Sequence, residues 1–556
     1  MPTSSRRGFL TASIGAAVAA RFAGAAVSSE LCALTLKQAS DSIRSKKASP
    51  VELTEACLDR IKTYNPKINA WITVMGEKAL AQAKALADEQ AAGKLRSPLH
   101  GIPIGVKDSI DALGARATAA SAVYEYRFPS EDAEVVRRLR AAGAVIIGKC
   151  NMHEFDAGAS SAVSYWGPVR NPWNLERVAG GPSGGSAAAV AMENCFGALG
   201  TDTGGGIRTP AAYCGVVGFK PTYGRVSLRG IVPFAWSLDH CGPIARTVED
   251  AAMLLQQIAG YDHLDIDSLD KPVPNYAAAI GAPVAQFRLG IPVQFYDHLD
   301  DDVARAIDDA LAVLNKLTKA SHEISLPSLL HASVGAEIAT FHENLRGVNG
   351  GGFEASTARA FPAADAARAV DYIRGWRDLT MVRRTVDEEV FQKQGVDLLI
   401  APASRHAVPT IEEELIQGAG GAAGGGAGGR GGTGGGGRGG AGGAPATGAP
   451  TPAAGGAPAA QTAGANARSR TQIDPEENTR AFNAYGLPTI TIPCGFTKDG
   501  MPIGLQIAGA QWAEVNVFAL AHAYQEATEW HKKRPPLAPD AKVPALSKAA
   551  AEQTGG

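Results

Sequence analysis

Residues 179–210 read AGGPSGGSAAAVAMENCFGALGTDTGGGIRTP, and this stretch decides the fold. It contains two glycine-rich loops, 180–185 and 204–206, joined by a small, apolar segment. The alanine-rich start of that segment predicts a helix over 186–192. The stretch therefore predicts a loop, a helix and a second loop.

The composition indicates a globular protein with a packed core. The chain has 556 residues, of which 45% are hydrophobic and 19% are charged. This length is enough for one large domain or for two to three ordinary ones. The formal net charge is −2, so the overall charge does not favour nucleic acid or an anionic membrane as a partner. We expect no nucleic-acid partner.

The N-terminus has the pattern of an export signal. Arg6 and Arg7 form a twin-arginine pair, a short apolar run follows over 11–27, and residues 23–25 read AGA, which is typical of a cleavage site. We predict a Tat-type signal peptide over 1–27 and a periplasmic or secreted protein. The alternative is a chance arginine pair. The run is too short and too rich in alanine for a stable membrane span.

The cysteines do not form a recognisable framework. The chain has seven, an odd number, and they are scattered without any CxxC pair. This spacing argues against a disulfide framework and against a structural zinc site. We expect most of them to be small buried residues and predict no metal site: Cys32, Cys57, Cys150, Cys195, Cys214, Cys241 and Cys494.

Strands and helices alternate along the chain, which is typical of an α/β fold with a mixed, largely buried sheet. Apolar residues at helical spacing predict that residues 34–95 are helical, with Ser49 and Pro50 starting the second helix. Further helices are predicted over 134–142, 248–259, 300–320 and 363–394, and strands over 101–106, 144–148, 216–219, 396–401 and 489–493.

Residues 418–467 differ from the rest of the chain. They are almost entirely Gly, Ala, Pro, Thr, Gln and Asn, and no side chain there is suited to a core. We predict a disordered Gly/Ala/Pro-rich insertion within one domain over 28–540, followed by a flexible tail over 541–556. The alternative function for the insertion is a binding segment.

Several blocks resemble the amidase-signature family of amide hydrolases, which also includes glutamyl-tRNA amidotransferase subunits. Besides 179–210, they are the segments 99–108, 148–161, 214–227 and 479–496. The resemblance implies one large mixed β-sheet covered by helices on both faces and cleavage of linear amide carbon–nitrogen bonds. It implies no cofactor. The family's catalytic groups are a lysine, a serine in a cis peptide and a serine nucleophile.

Two of these three catalytic positions are substituted. Lys107 occupies the lysine position, but Pro182 stands where the family has the cis serine and Gly206 where it has the nucleophile. The identity of the flanking residues leaves little room for a shift of the alignment. Proline tolerates a cis peptide at much lower cost than serine does, so Pro182 can keep the loop shape while removing the hydroxyl group. Without a nucleophile, no acyl-enzyme can form by the family's route.

The second loop keeps its backbone N–H groups, which can bind a carbonyl or carboxylate oxygen as an oxyanion hole does. Arg208 stands where some relatives bind a substrate carboxylate, and a salt bridge with Asp202 is an equally good interpretation. Ser183 and Ser186 correspond to supporting hydrogen-bond residues, and using either as a nucleophile would require a large displacement. The candidate binding residues are Asp202, Thr203, Gly204, Gly205, Arg208 and Ser183.

Two other features invite different interpretations. Residues 181–185 match the G-x-S-x-G elbow of another hydrolase class, which requires a strand directly before it. Residues 174–179 do not read as a convincing buried strand, which argues against the elbow. His153 lacks a second histidine at helical spacing, so we interpret it as a polar loop residue rather than a metal ligand.

Two hypotheses follow. In the first, the protein is an exported amidase-family member whose standard activity is impaired or lost. In the second, it is an inactive binding protein that recognises an amide, a carboxylate or a protein partner. Both hypotheses predict a small-molecule amide or carboxylate ligand and leave a homodimer open.

Overall fold

The computed structural model describes residues 30–328, 334–347, 352–420, 476–551 and 553. The predicted signal peptide, 1–27, lies outside the described residues, as does most of the predicted insertion, 418–467. The helix that ends at Gly420 includes the first three positions of that insertion. The boundaries predicted for these two segments remain predictions.

Eleven of the described strands form one mixed sheet, as predicted. The sheet order is β1-β3-β2-β6-β8-β7-β12-β13-β11-β9-β10, and β4 and β5 form a separate two-stranded sheet. The strands are β1 Trp71–Val74, β2 Pro103–Lys107, β3 Val145–Cys150, β4 Arg170–Asn171, β5 Asn174–Val178, β6 Gly197–Thr201, β7 Val217–Lys220, β8 Cys241–Ala245, β9 Arg288–Pro292, β10 Ala320–Ile324, β11 Leu398–Pro402, β12 Thr489–Phe496 and β13 Pro502–Gly509.

Helices pack against this sheet along most of the described chain. They are α1 Leu36–Arg44, α2 Pro50–Ile68, α3 Gly76–Ala91, α4 Glu134–Ala141, α5 Gly184–Ala191, α6 Arg208–Cys214, α7 Val248–Ile258, α8 Asp301–Leu317, α9 Gly335–His342, α10 Ala355–Asp365, α11 Ala369–Val386, α12 Ile411–Gly420, α13 Arg480–Ala484, α14 Glu514–Thr528 and α15 Lys548–Ala551. Among the described helices, none is long and apolar enough to cross a membrane.

Local sequence explains where several elements begin. Ser49 caps α2, its side chain accepting from the Glu52 amide while the Glu52 carboxylate accepts from the Ser49 amide. This reciprocal capping box follows from the Ser–Pro start seen in the sequence. The central strands β2, β3 and β6 are buried at every position, and β2 and β3 correspond to the apolar runs predicted as strands over 101–106 and 144–148.

The structure corrects four sequence expectations. The region 34–95 is not wholly helical, because Trp71–Val74 forms β1 on the edge of the sheet, where aromatic and β-branched residues pack well. Residues 174–178 do form a strand, β5, although it is only partly buried and pairs with β4 outside the large sheet. The predicted helix over 363–394 is divided between α10, α11 and a π-helical turn at Asp387–Gln392.

The fourth correction concerns the predicted tail. Residues 548–551 form α15, and Ala550 is buried in a cluster that includes Ile411 and Leu415 of α12. The Ser547 amide donates to the Glu412 carboxylate at 2.7 Å. Part of the tail is therefore packed on the domain.

The sheet register brings the candidate site residues to one edge. Strand β6 runs parallel to β2 and antiparallel to β8, with Thr201 opposite Cys241. The carboxyl ends of β2 and β6 and the start of β8 therefore lie at the same edge of the sheet. Lys107 ends β2 and Thr201 ends β6.

Candidate active site

Lys107 lies in a closed hydrogen-bonded triangle with Asp156 and Thr201. The Lys107 Nζ is 2.6 Å from Asp156 Oδ1 and donates to Thr201 Oγ1 at 2.5 Å. The Thr201 hydroxyl in turn donates to Asp156 Oδ2 at 2.8 Å. Burial lowers the pKa of Lys107, and the charge of Asp156 only partly offsets this.

Ser183 is engaged with the main chain of Thr201. Its hydroxyl donates to the Thr201 carbonyl at 3.1 Å and accepts from the Thr201 amide at 3.2 Å. Ser186 likewise donates to the Leu199 carbonyl at 3.0 Å. Both side chains are fully buried. The two hydroxyl groups therefore connect the start of α5 to β6.

Pro182 and Gly206, the two substituted positions, lie against each other. The Gly181–Pro182 peptide is cis, as the resemblance implied. A Cβ atom placed on Gly206 would lie 2.7 Å from Pro182 Cδ and 2.5 Å from the Thr201 carbonyl oxygen. The proline ring therefore occupies the space in which a side chain at position 206 would begin. The two substitutions are sterically matched.

The loop from Thr203 to Gly206 offers backbone N–H groups as hydrogen-bond donors. Among the described residues, its four amide N–H groups do not donate a hydrogen bond to any other group. Gly205 has a φ of +156°, and a Cβ there would meet the Thr479 hydroxyl at 2.3 Å, so this position requires glycine. Unpaired amide donors can bind a carbonyl or carboxylate oxygen.

Arg208 forms an internal ion pair with Asp202. The guanidinium holds both carboxylate oxygens, at 3.0 and 2.9 Å, and both side chains are fully buried. Its remaining donors reach the Thr479 carbonyl and the amide oxygens of Gln506 and Asn483. Of the two interpretations that the sequence left open for Arg208, the structure contains the salt bridge, and the guanidinium is fully used by it and its neighbours.

Burial and the neighbouring Arg208 shift the pKa of Asp202 in opposite directions. Burial raises its pKa, but the charge and hydrogen bonds of Arg208 outweigh burial and hold that pKa well below its ordinary value. The carboxylate also accepts from the Ile207 amide at 3.1 Å. Asp202 therefore fixes the start of α6 directly after the second glycine loop.

Asp239 is a further acidic residue at this edge of the sheet. Its Oδ1 accepts from the Thr203 hydroxyl at 2.5 Å, and its carboxylate accepts from the amides of Phe234 and Ala235. Burial raises the pKa of Asp239 to about 7, although these hydrogen bonds oppose the effect. Thr203 is thereby anchored through its side chain.

His153 lies in a loop and is buried. Its amide donates to the Pro182 carbonyl at 3.1 Å, and its ring packs on Gly158. Burial, with a contribution from the charge of Lys107, lowers the pKa of His153 to about 3. The ring is therefore neutral at ordinary pH, and the backbone amide supports the Pro182 loop. Within the described residues, no three His, Cys, Asp or Glu side chains are grouped to hold a metal ion.

Sequence reasoning missed Asp156, Thr201, Asp239 and Asn483. Asp156, Thr201 and Asn483 lie inside the motif blocks, and Asp239 follows the block 214–227. A polar residue within an otherwise apolar block is the signal that could have identified them, since buried polar groups normally have partners. Their partners are distant in sequence and could not be read from it.

Comparison with known proteins agrees with this architecture. A sequence profile of the family described as Amidase matches residues 52–419 and 444–518. A glutamyl-tRNA(Gln) amidotransferase subunit from Geobacter sp. (strain M21) is 35% identical over 542 residues, covering 91% of this chain and 100% of the relative. The fold and the sequence together define an amidase-type α/β protein.

Solved structures give the same result. Native peptide amidase from Stenotrophomonas maltophilia matches with a TM-score of 0.70 and 26% identity, covering 90% of this chain and 98% of the other. A 6-aminohexanoate cyclic dimer hydrolase complexed with substrate matches with a TM-score of 0.73 and 27% identity, covering 91% and 99%. The chain belongs to the Amidase family of hydrolases.

Proposed function

We propose that this chain is an exported amidase-family protein that binds an amide or carboxylate ligand but does not hydrolyse amides by the family's serine route. The observation that carries the proposal is the contact between Pro182 and Gly206. At both positions where the family has a serine, the side chain has no hydroxyl group. The volume that a side chain at 206 would enter is filled by the proline ring, 2.7 Å from the Cβ position.

The neighbouring hydroxyl groups do not offer a simple replacement. Acyl transfer requires a nucleophilic oxygen beside a base and close to the ligand carbonyl. Ser183 and Ser186 instead donate to main-chain carbonyls of β6, and the Thr203 hydroxyl donates to Asp239. Lys107 is held by Asp156 and Thr201. A rearranged site would have to break at least one of these buried hydrogen bonds.

The backbone N–H groups that the second glycine loop retains favour ligand binding. The amide N–H groups of 203–206 are open among the described residues, and such donors suit a carbonyl or carboxylate oxygen. The names of similar proteins, a peptide amidase and a cyclic amide dimer hydrolase, support an amide or its product as the ligand class. Export would keep the protein apart from tRNA, so a role in tRNA amidation is not proposed.

One experiment tests the loss of hydrolysis. The purified chain is treated with a serine-reactive fluorophosphonate probe and assayed with a panel of short amides. We expect no labelling and no amide cleavage, whereas the Pro182→Ser/Gly206→Ser double variant gains both. Labelling of the parent chain at any site serine, together with amide turnover, would overturn the proposal.

Binding is tested separately by thermal shift and calorimetry with the same amides and the corresponding carboxylates. We expect at least one compound to bind the parent chain. Substitution of Thr203 by Pro, which removes one loop N–H, should weaken that binding. If none of the compounds binds while the double variant cleaves amides, the proposed ligand binding is refuted. The proposed loss of hydrolysis in the parent chain is not affected by that result.

Export is tested with the twin-arginine pair. A fusion of the chain to a reporter that is active only outside the cytoplasm should be exported, and an Arg6→Lys/Arg7→Lys variant should accumulate inside the cell. Equal export of the two forms would refute the signal-peptide prediction.

A further inference from the structure

Two of the seven cysteines meet in the core. Cys32 Sγ and Cys57 Sγ are 4.0 Å apart, and both residues are buried. Cys32 lies in a short helical stretch, residues 30–33, that precedes α1, and Cys57 lies within α2. The two thiols therefore connect the beginning of the described chain to the first long helix.

The geometry points to a modification site: we propose that Cys32 and Cys57 form a disulfide in an oxidising compartment. A disulfide requires the sulfur atoms to approach to about 2.05 Å, so the present Sγ–Sγ separation of 4.0 Å must shorten on oxidation. Both thiols are free in this structure.

The backbone around Cys32 is held in place by Arg246. Its guanidinium donates to the Cys32 carbonyl at 2.8 Å and also to the Leu34 carbonyl. Arg246 is itself paired with Glu193 at 3.2 Å. These contacts hold the main chain at Cys32 and Leu34 in place in the closed state.

The reaction is a thiol–disulfide exchange with a disulfide-bearing oxidant. The Cys32 thiolate attacks the oxidant, forming a mixed disulfide and releasing one thiol. The Cys57 thiolate then attacks the Cys32 sulfur and releases the second thiol. Two protein thiols are oxidised, one external disulfide is reduced to two thiols, and both protons leave with them.

Access to the buried pair comes from local opening of the stretch 30–33, which carries Cys32. Segments at the beginning of a domain open at lower cost than its centre, and Glu30 and Ala33 beside Cys32 are already exposed. Burial raises the pKa of Cys57, and the hydrogen bond with Cys32 adds to this, so reaction in the closed state is slow. We therefore expect oxidation to start at Cys32, the residue nearer the chain start.

The experiment uses the full chain, purified under reducing conditions and then incubated with oxidised glutathione. After an acid quench and alkylation, non-reducing peptide mapping by mass spectrometry should show a Cys32–Cys57 link and five alkylated cysteines. The link should be absent in Cys57→Ser and retained in the matched control Cys195→Ser, which replaces another buried cysteine. Recovery of both Cys32 and Cys57 as alkylated or glutathionylated residues, also after refolding from urea with the same oxidant, would overturn the proposal.

A stability measurement gives a second readout. Closing a loop between residues 25 positions apart should lower the unfolding equilibrium constant on the order of 100-fold. Urea unfolding of oxidised and reduced protein should show this shift in the parent chain and none in Cys57→Ser. Equal midpoints for the two states of a chain that carries the link would refute the stabilising role. These results do not depend on ligand binding or on amide hydrolysis.

Discussion

Two neighbouring parts of the candidate active site differ sharply in how they are held. The Asp202–Arg208 region is a network of buried charges in which every guanidinium nitrogen has a partner. The Pro182–Gly206 region is an apolar contact between a ring and a residue without a side chain. The first region is a framework of the fold, and the second is where the family has its reacting groups.

The difference has a physical reason. Removing one partner of a buried ion pair leaves an uncompensated charge, which costs several kcal/mol of stability. Replacing a hydroxyl group by an apolar contact leaves no charge behind and can be nearly neutral for folding. A family member can therefore lose its reacting hydroxyls while its buried charges stay in place.

The largest expected effect is that of Arg208→Met. It leaves the Asp202 carboxylate buried without its cation, and we expect a loss of about 3–5 kcal/mol in the free energy of unfolding, measured by urea denaturation. The matched control is Arg288→Met, which breaks the surface pair with Asp397 and should cost at most about 1 kcal/mol. Similar losses for the two variants would contradict the expected difference between the buried ion pair and the surface ion pair.

The second prediction concerns pH. Because the pKa of Asp239 is raised from 3.8 to about 7, the folded state keeps its proton between these values while the unfolded state loses it. The contribution to stability is fully present below pH 3.8 and is lost as the pH rises through about 7, by on the order of 4 kcal/mol. Asp239→Asn should remove this part of the pH dependence. Parallel stability curves for the variant and the parent, from urea midpoints across this range, would contradict it.

The third prediction tests the steric match at the substituted positions. Gly206→Ser should destabilise the parent chain by about 1–3 kcal/mol, because its Cβ would overlap the Pro182 ring. In a Pro182→Ser background the same change should cost less, giving a coupling free energy of about 0.5–3 kcal/mol in a double-mutant cycle. Gly347→Ser, at an exposed glycine with open space around it, is the control. Additive effects of the two site substitutions would argue against the match.

The smallest effect is expected for Thr203→Val. The variant loses one hydrogen bond to Asp239, which keeps its contacts with the amides of Phe234 and Ala235. We expect a loss of about 1 kcal/mol in the free energy of unfolding, measured beside Arg208→Met under identical conditions. A loss as large as that of Arg208→Met would place Thr203 in the charged framework rather than at its edge.

Much of the fold could be predicted from the sequence, because its central strands and capped helices carry local signals. The buried strand β3 and the Ser49 cap of α2 are examples. The edge strand β1 and the division of 363–394 into separate helices could not, since both depend on packing against distant segments. Strand β5 pairs with β4 outside the main sheet, and its weak pattern reflects that position.

The sequence by itself determined the family resemblance, the retained Lys107 and the absence of serine at positions 182 and 206. These follow from residue identities within short motifs. Only the tertiary structure decided that Arg208 is paired with Asp202 and that Lys107 is held by Asp156 and Thr201. Hydrogen bonds and ion pairs depend on distances of a few ångströms between residues that the sheet register brings together, and no local pattern encodes them.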